Sequence, residues 1–158
     1  MKKGMMTLCA ATLAASMQAN AVPMDFDFSG TFTKDNDVVL LNFTVNTASS
    51  VTIFSSSWDD GGFDPILAIW DSAGNRIEQQ DDGGLTGSTV SNGVSYDYGV
   101  WDSYFTIALD AGTYTASIAQ YSNFANGTHL SDGFRYDSNP NFRGEISPAA
   151  APIMNFTS

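Results

Sequence analysis

The chain has 158 residues, of which 43% are hydrophobic and 13% aromatic, so it can bury the core of one domain. Its 17 acidic residues outnumber six basic residues and give a formal net charge of −11. This charge argues against nucleic acid and anionic membrane surfaces as partners, because both would be repelled.

The first 21 residues have the pattern of a secretory signal peptide. Two lysines precede a short apolar stretch, which ends in the cleavage pattern Ala19-Asn20-Ala21. The stretch is shorter than the roughly 20 residues that a membrane span needs, so we expect no span in the mature chain. We therefore predict a secreted protein, located outside the cell or in the periplasm or cell envelope.

Cleavage changes both the charge and the cysteine content. It removes Cys9, the single cysteine, so core packing or bound ions must stabilise the mature chain. It leaves four basic residues against all 17 acidic ones, of which fifteen are Asp. Short carboxylates in turns suit calcium, which takes oxygen ligands, but Asp is also common in ordinary turns.

Four segments alternate apolar and polar residues with a period of two, which is typical of strands with one buried face. They span residues 26–32, 39–45, 105–109 and 114–118. The segments between them, such as "KDND", "DDGGFD" and "DAGT", have the composition of turns, and no helical stripe is present. The sequence predicts an all-β, single-domain fold, a jelly-roll-like antiparallel β-sandwich.

One predicted hairpin lies between these segments. "DPILAIW" (64–70) is apolar on both faces and predicts a central strand, and "DSAGN" predicts a turn into its partner "RIEQQ" (76–80). We expect this hairpin in the middle of a sheet. It does not explain "QQDDGG" at its far end, where charge is concentrated and two glycines remove side chains from the backbone.

The predicted organisation has three parts. Residues 1–21 are the signal peptide, residues 22–138 the β-sandwich domain and residues 139–158 a C-terminal extension. Within the extension, "ISPAAAP" has the composition of an extended linker, and "IMNFTS" is either a last edge strand or a loose end.

Residues of familiar catalytic sites are scarce. The single histidine, His129, is close in sequence to Ser131 and Asp132, but neighbours along a loop rarely attain the geometry of a triad. No G-x-S-x-G motif precedes a helix, and one histidine without cysteine does not suit zinc. We therefore expect no enzymatic activity.

The Asp-rich turns provide candidate calcium ligands. A jelly roll gathers strand ends at a rim, so Asp81 and Asp82 after the hairpin are expected to meet Asp35 and Asp37, which open an earlier strand. Calcium would relieve the repulsion among four converging carboxylates. Three further residues at predicted strand ends are alternatives: Asp64, Asp71 and Asp102. The other interpretation is separate solvated turns, since no EF-hand or nonapeptide repeat is present.

Aromatic residues near polar turns predict a ligand-binding surface formed by Trp58, Tyr96, Tyr98 and Trp101. Flat rings beside polar side chains suit a carbohydrate, which stacks on them and forms oriented hydrogen bonds. Trp70 lies on the predicted central strand, so we expect it in the core. Self-assembly is a third possibility, because the alternating segment after the cleavage site could pair with another copy.

Three segments carry a resemblance to a known family: "DNDVVLLNFTVNTASSVTI", "FDPILAIWDSAGNRIEQQDDGG" and "DSYFTIALDAGTYTASIAQY". Together they resemble the bacterial pre-peptidase C-terminal domain, and more closely a group of secreted β-sandwich proteins that often carry a PEP-CTERM sorting tail. The resemblance covers about residues 26 to 134 and implies a β-sandwich with an accessory role rather than a shared reaction. The sorting tail itself is absent from residues 139–158.

The predicted function is that of a secreted, non-enzymatic binding or structural module, with calcium as the candidate cofactor. The alternatives are a carbohydrate-binding module and a self-assembling subunit of an extracellular filament or matrix. The expected partner is accordingly an extracellular glycan, a protein or other copies of the chain.

The first testable prediction concerns processing. Because Ala19 and Ala21 frame the cleavage site, the exported protein should begin at Val22. The intact mass of the exported protein measures this directly, and a retained Met1 would contradict the signal-peptide interpretation.

Overall fold

The computed structural model describes residues 26–28, 32–58, 63–143 and 154–157. The predicted signal peptide, its cleavage site and the "ISPAAAP" segment lie outside the described residues. Within them the strands are β1 (Phe26–Phe28), β2 (Val38–Val45), β3 (Ser49–Ser55), β4 (Pro65–Trp70), β5 (Arg76–Gln80), β6 (Gly87–Ser91), β7 (Val94–Tyr98), β8 (Tyr104–Leu109), β9 (Gly112–Gln120) and β10 (Met154–Thr157). A short 3₁₀ helix spans Leu130–Asp132.

Two four-stranded antiparallel sheets form a sandwich. Sheet A has the order β1-β10-β3-β8 and sheet B the order β2-β9-β4-β5, while β6 and β7 form a separate hairpin. When β6 and β7 are left out, eight strands remain and can be counted in chain order. Counted in this way, sheet A has the order first, eighth, third, sixth, and sheet B has the order second, seventh, fourth, fifth. This is the strand order of a jelly roll. The predicted all-β sandwich is confirmed.

The core lies between the two sheets and follows the alternation of the sequence. On β2, Phe43 and Val45 are buried while Thr44 between them is exposed. Val51 and Ile53 of β3 are buried in the same cluster, which also contains residues of β4, β8 and β9. The period-two pattern therefore identifies the inward faces of these strands.

Strand β4 is buried along its whole length, as its apolar character on both faces predicts. Leu67 and Ile69 belong to the core between the sheets. Ala68 and Trp70 face the other way and pack with Phe134, which belongs to the segment that follows β9. The indole N–H of Trp70 donates to Ser117 Oγ at 3.0 Å, so its burial leaves no unsatisfied donor. Trp70 is therefore a core residue, as expected.

The predicted position of the hairpin is wrong, and neither alternative for "IMNFTS" holds. The β4–β5 hairpin does not lie in the middle of a sheet, because β5 is the edge strand of sheet B and only β4 is internal. The polar sequence of β5 explains this, since Ile77 is its only large apolar residue and is 39% exposed. Conversely, β10 is not an edge strand, because it pairs with both β1 and β3.

Two elements were not predicted from the sequence alternation. In β3, the alternation is limited to Val51 and Ile53, and two residues are too few to identify a strand. The β6–β7 hairpin turns at Asn92 and Gly93, which have φ angles of 48° and 77°. A type I′ turn requires positive φ at both turn residues, and Asn-Gly is its usual sequence. The Asn-Gly pair therefore indicates this hairpin in the sequence.

The second testable prediction concerns the core. Phe43 is 6% exposed and stacks on Tyr114 with ring centroids 5.6 Å apart. Phe43→Asp should lower the free energy of unfolding by more than about 3 kcal/mol, because it buries an unpaired charge. The matched control is Leu40→Asp on the same strand, where the side chain is 48% exposed. Urea unfolding measures both, and equal stabilities would contradict this assignment of the inner face.

Candidate functional site

Three carboxylates converge at one rim of the sandwich. Asp64 immediately precedes β4, and Asp81 and Asp82 immediately follow β5, so antiparallel pairing brings them to the same end of the sheet. One oxygen from each carboxylate lies within 4.8 Å of the others. Asp64 and Asp81 are half-buried and Asp82 is exposed. We call these three residues the rim cluster.

The rim cluster is electrostatically strained. Burial raises the pKa of Asp64 to about 7, and the charges of Asp81 and Asp82 add to this effect, while the Arg143 guanidinium opposes it. Burial, together with the charge of Asp82, raises the pKa of Asp81 to about 6. Ionising Asp64 and Asp81 together therefore costs free energy.

Two oxygens of the rim cluster have no partner among the described residues. Oδ1 of Asp64 and Oδ1 of Asp81 are both buried from solvent and accept no hydrogen bond there. Buried carboxylate oxygens normally accept hydrogen bonds or bind a cation, because their desolvation is otherwise uncompensated. This arrangement can therefore accept a cation.

The backbone of the rim is held by Asp102, which is 1% exposed. Its Oδ1 accepts hydrogen bonds from Ser55 Oγ at 2.8 Å, Ser57 N at 2.9 Å and Trp58 N at 3.3 Å. Its Oδ2 accepts one from Gly99 N at 2.9 Å. Asp102, an alternative ligand in the sequence prediction, thus directs both oxygens to donors of the protein.

Ser103 and Gly83 fix the position of the rim cluster itself. Ser103 Oγ lies 2.9 Å from the carbonyl oxygen of Pro65 and 2.6 Å from that of Asp81. Gly83 N donates to the Asp102 carbonyl at 2.7 Å. A Cβ on Gly83 would lie only 2.8 Å from that same oxygen, so the close approach requires glycine. Gly83, the first glycine of "QQDDGG", therefore allows the two chain segments to meet.

The other predicted calcium ligands have different partners. Asp35 is buried and accepts a hydrogen bond from Arg143 N at 2.9 Å. Burial opposes ionisation of Asp37, but hydrogen bonds from Thr33 and Lys34 outweigh it and lower its pKa. A hydrogen bond from the side chain of Asn75 is the main cause of the lowered pKa of Asp71. The structure therefore brings Asp81 and Asp82 together with Asp64, and not with Asp35 and Asp37.

The predicted aromatic surface divides into two pairs. Trp58 and Trp101 lie beside each other with ring centroids 5.9 Å apart, and they are 37% and 46% exposed. Tyr96 and Tyr98 are half-buried on β7 and pack against Phe54, with centroid distances of 6.3 Å and 6.5 Å. The tyrosines therefore hold the β6–β7 hairpin on sheet A, and the indoles face solvent.

His129 is part of a turn. One ring nitrogen, Nε2, lies 2.8 Å from the Ala73 carbonyl oxygen, and the other, Nδ1, lies 2.7 Å from Ser131 Oγ. Asp132 accepts a hydrogen bond from the backbone N–H of His129 rather than from its ring. The histidine thus links the turn after β4 to the 3₁₀ helix, and the carboxylate does not orient the imidazole as in a catalytic triad.

Asp64 is only an alternative ligand in the sequence prediction, although the predicted hairpin places it beside Asp81 and Asp82. Residues just before the first strand of a hairpin and just after the second strand must lie side by side. Arg143 had no such signal, because its approach to the cluster depends on a loop distant in sequence.

Comparison with solved structures finds a similar domain, whereas comparison by sequence finds none. No protein-family model matches the sequence, and no curated protein sequence matches it significantly. The structure is similar to the 1.0 Å crystal structure of the pre-peptidase C-terminal domain of a collagenase from Bacillus anthracis. The TM-score is 0.40 with 12% identity over 85% of this chain and 88% of that one. Such a likeness assigns neither family nor function, so the family resemblance stays a prediction.

In the part of the chain that the structure describes, no helix has the length and apolar character needed to cross a membrane.

The third testable prediction concerns Asp102. Asp102→Ala removes the acceptor of Ser55, Ser57, Trp58 and Gly99, and should lower the free energy of unfolding by about 3 kcal/mol or more, since several buried donors lose their partner. Urea unfolding is the measurement. Asp110→Ala, at an exposed carboxylate, is the matched control and should change stability by less than about 0.5 kcal/mol. Similar losses in both variants would contradict the role of Asp102.

Proposed function

We propose that this chain is a secreted, non-enzymatic β-sandwich module whose rim cluster binds calcium. The observation that carries the proposal is the convergence of Asp64, Asp81 and Asp82, two of which have a buried oxygen without a partner among the described residues. The bound ion stabilises the folded module, which serves as a binding or structural unit outside the cytoplasm.

The chemistry of the donor set favours calcium over other metals. All three groups are carboxylates, which are hard oxygen ligands, whereas zinc sites are usually built from cysteine and histidine. Calcium also accepts irregular geometry and six to eight oxygens, so three carboxylates from two loops suit it better than magnesium, which requires near-ideal octahedral geometry. Water or ligand oxygens would occupy the remaining positions.

The electrostatics explain why the ion would stabilise the protein. Burial and mutual repulsion raise the pKa of Asp64 and of Asp81, so these groups are costly to ionise in the folded state. A divalent cation between them replaces that repulsion with attraction. Extracellular calcium modules bind with Kd values of about 10⁻⁴ to 10⁻³ M, which the ion concentration outside cells can satisfy.

The absence of catalysis is also a proposal, and the surroundings of the candidate groups support it. The His129 ring is engaged with the Ala73 carbonyl and Ser131, and Asp102 is engaged with four donors. Groups committed to hydrogen bonds that hold loops together are typical of structural positions.

The fourth testable prediction uses the pH dependence of calcium binding. Without calcium, the raised pKa values mean that the folded state binds protons more tightly than the unfolded state, so stability should fall as pH rises from about 4 to about 7. With calcium, the ionised cluster is the binding form, so the rise in melting temperature should be larger at pH 8 than at pH 5. At about 100 times Kd the stabilisation is about 2.7 kcal/mol.

Asp64→Asn separates this proposal from a general effect of acid. In chelator at pH 8 it should raise the melting temperature, because it removes a charge from a repelling group, and in calcium it should abolish the gain. Asp97→Asn, at an exposed carboxylate of β7, should leave both values unchanged. Differential scanning calorimetry measures these quantities, and an equal melting temperature of the parent protein in calcium and in chelator would refute the proposed site.

A further inference from the structure

The exposed indoles of Trp58 and Trp101 form an angled shelf. Their ring centroids are 5.9 Å apart and their planes are inclined by 50°. Trp58 is 37% exposed and Trp101 is 46% exposed, so the two residues together present about 200 Å² of surface to solvent. A stable protein interface needs about 800 Å² from each partner, so the shelf matches a small rigid molecule better than a protein.

The shelf is held in place without any ligand. Trp58 N donates to Asp102 Oδ1 at 3.3 Å, and Asp102 N donates to the Gly99 carbonyl at 3.1 Å, which closes the turn that carries Trp101. Backbone segments fixed in this way lose little further freedom when a ligand binds. The backbone on each side of the shelf is thus fixed, and the two rings lie beside each other.

The shelf and the rim cluster belong to neighbouring segments. Gly83 N donates to the Asp102 carbonyl at 2.7 Å, and Gly84 N donates to the Val100 carbonyl at 3.1 Å. Residues 81–84 therefore run beside residues 100–102, with Trp101 between the two hydrogen-bonded positions. Asp82, the exposed carboxylate of the rim cluster, is adjacent in sequence to this pairing. The backbone that carries two carboxylates of the cluster is thus hydrogen-bonded to the backbone that carries Trp101.

We propose that Trp58 and Trp101 stack against a neutral saccharide whose vicinal hydroxyls complete the coordination of the calcium ion at the rim cluster. This rests on the proposed calcium site and names the ligand of that same site. A sugar ring offers an apolar C–H face for an indole and adjacent hydroxyl oxygens, which are hard ligands suited to calcium.

Charge explains why the saccharide is neutral. The chain carries a net charge of −11 overall, and the shelf adjoins a carboxylate cluster, so anionic ligands are repelled from it in the absence of the ion. A neutral sugar is not repelled, and its hydroxyls can replace water on the ion without adding charge.

The test is affinity gel electrophoresis of the full mature protein in gels that contain a glucan, a mannan or a galactan. In calcium, at least one of the three should retard the protein, and chelator should remove the retardation. Trp101→Ala and Trp58→Ala should each weaken binding by about tenfold or more, while the calcium-induced rise in melting temperature persists. Trp101→Phe keeps an aromatic face and should retain part of the binding.

Val90→Ala is the control, because this apolar residue of β6 is 58% exposed and belongs to neither the shelf nor the rim cluster. Its retardation should equal that of the parent protein. No retardation in any gel, with calcium still raising the melting temperature, would overturn the saccharide proposal and leave the calcium site intact. Equal retardation in calcium and chelator would overturn the role of the ion. No calcium effect on melting would instead refute the proposed function.

Discussion

The hydrogen bonds to the buried carboxylate of Asp102 are the interactions on which the rim depends. A carboxyl group at 1% exposure is tolerated only when its oxygens have hydrogen-bond partners. Here the donors come from the end of β3, from the loop after it and from the turn before β8. The same residue, through its carbonyl oxygen, also binds Gly83. The indole pair and the rim cluster therefore share one support.

Identical side chains have different roles because their surroundings differ. Asp102 is buried among donors, whereas Asp64 and Asp81 have buried oxygens without protein partners in the described residues. Asp71 lies in an exposed turn, where Asn75 and backbone N–H groups favour its ionised form and lower its pKa. Burial without donors raises a carboxyl pKa and donors without burial lower it. The carboxylates that suit a cation are thus those that the fold buries but does not satisfy.

The sequence predicted the fold better than the site. Period-two alternation identified β2, β8 and β9, and the double-sided apolar run identified β4, because burial of a strand face depends directly on local residue pattern. The inner position of β10 and the edge position of β5 depend on pairing between distant segments, which no local pattern encodes. The surroundings of Asp35 could not be predicted for the same reason, because its hydrogen-bond partners Pro140 and Arg143 are over 100 residues away in sequence.

The β6–β7 hairpin explains why the rim has two distinct halves. In the jelly roll it is inserted between β5 and β8, so the chain leaves sheet B through residues 81–84 and returns to sheet A through residues 99–103. The outgoing segment carries two carboxylates of the rim cluster, and the returning one carries Trp101 and Asp102. The two segments are hydrogen-bonded to each other, and Gly99, the first residue after β7, donates to Asp102. A cation or sugar bound at the rim would thus lie next to the base of the β6–β7 hairpin. The hairpin itself packs on sheet A through Tyr96 and Tyr98, which contact Phe54.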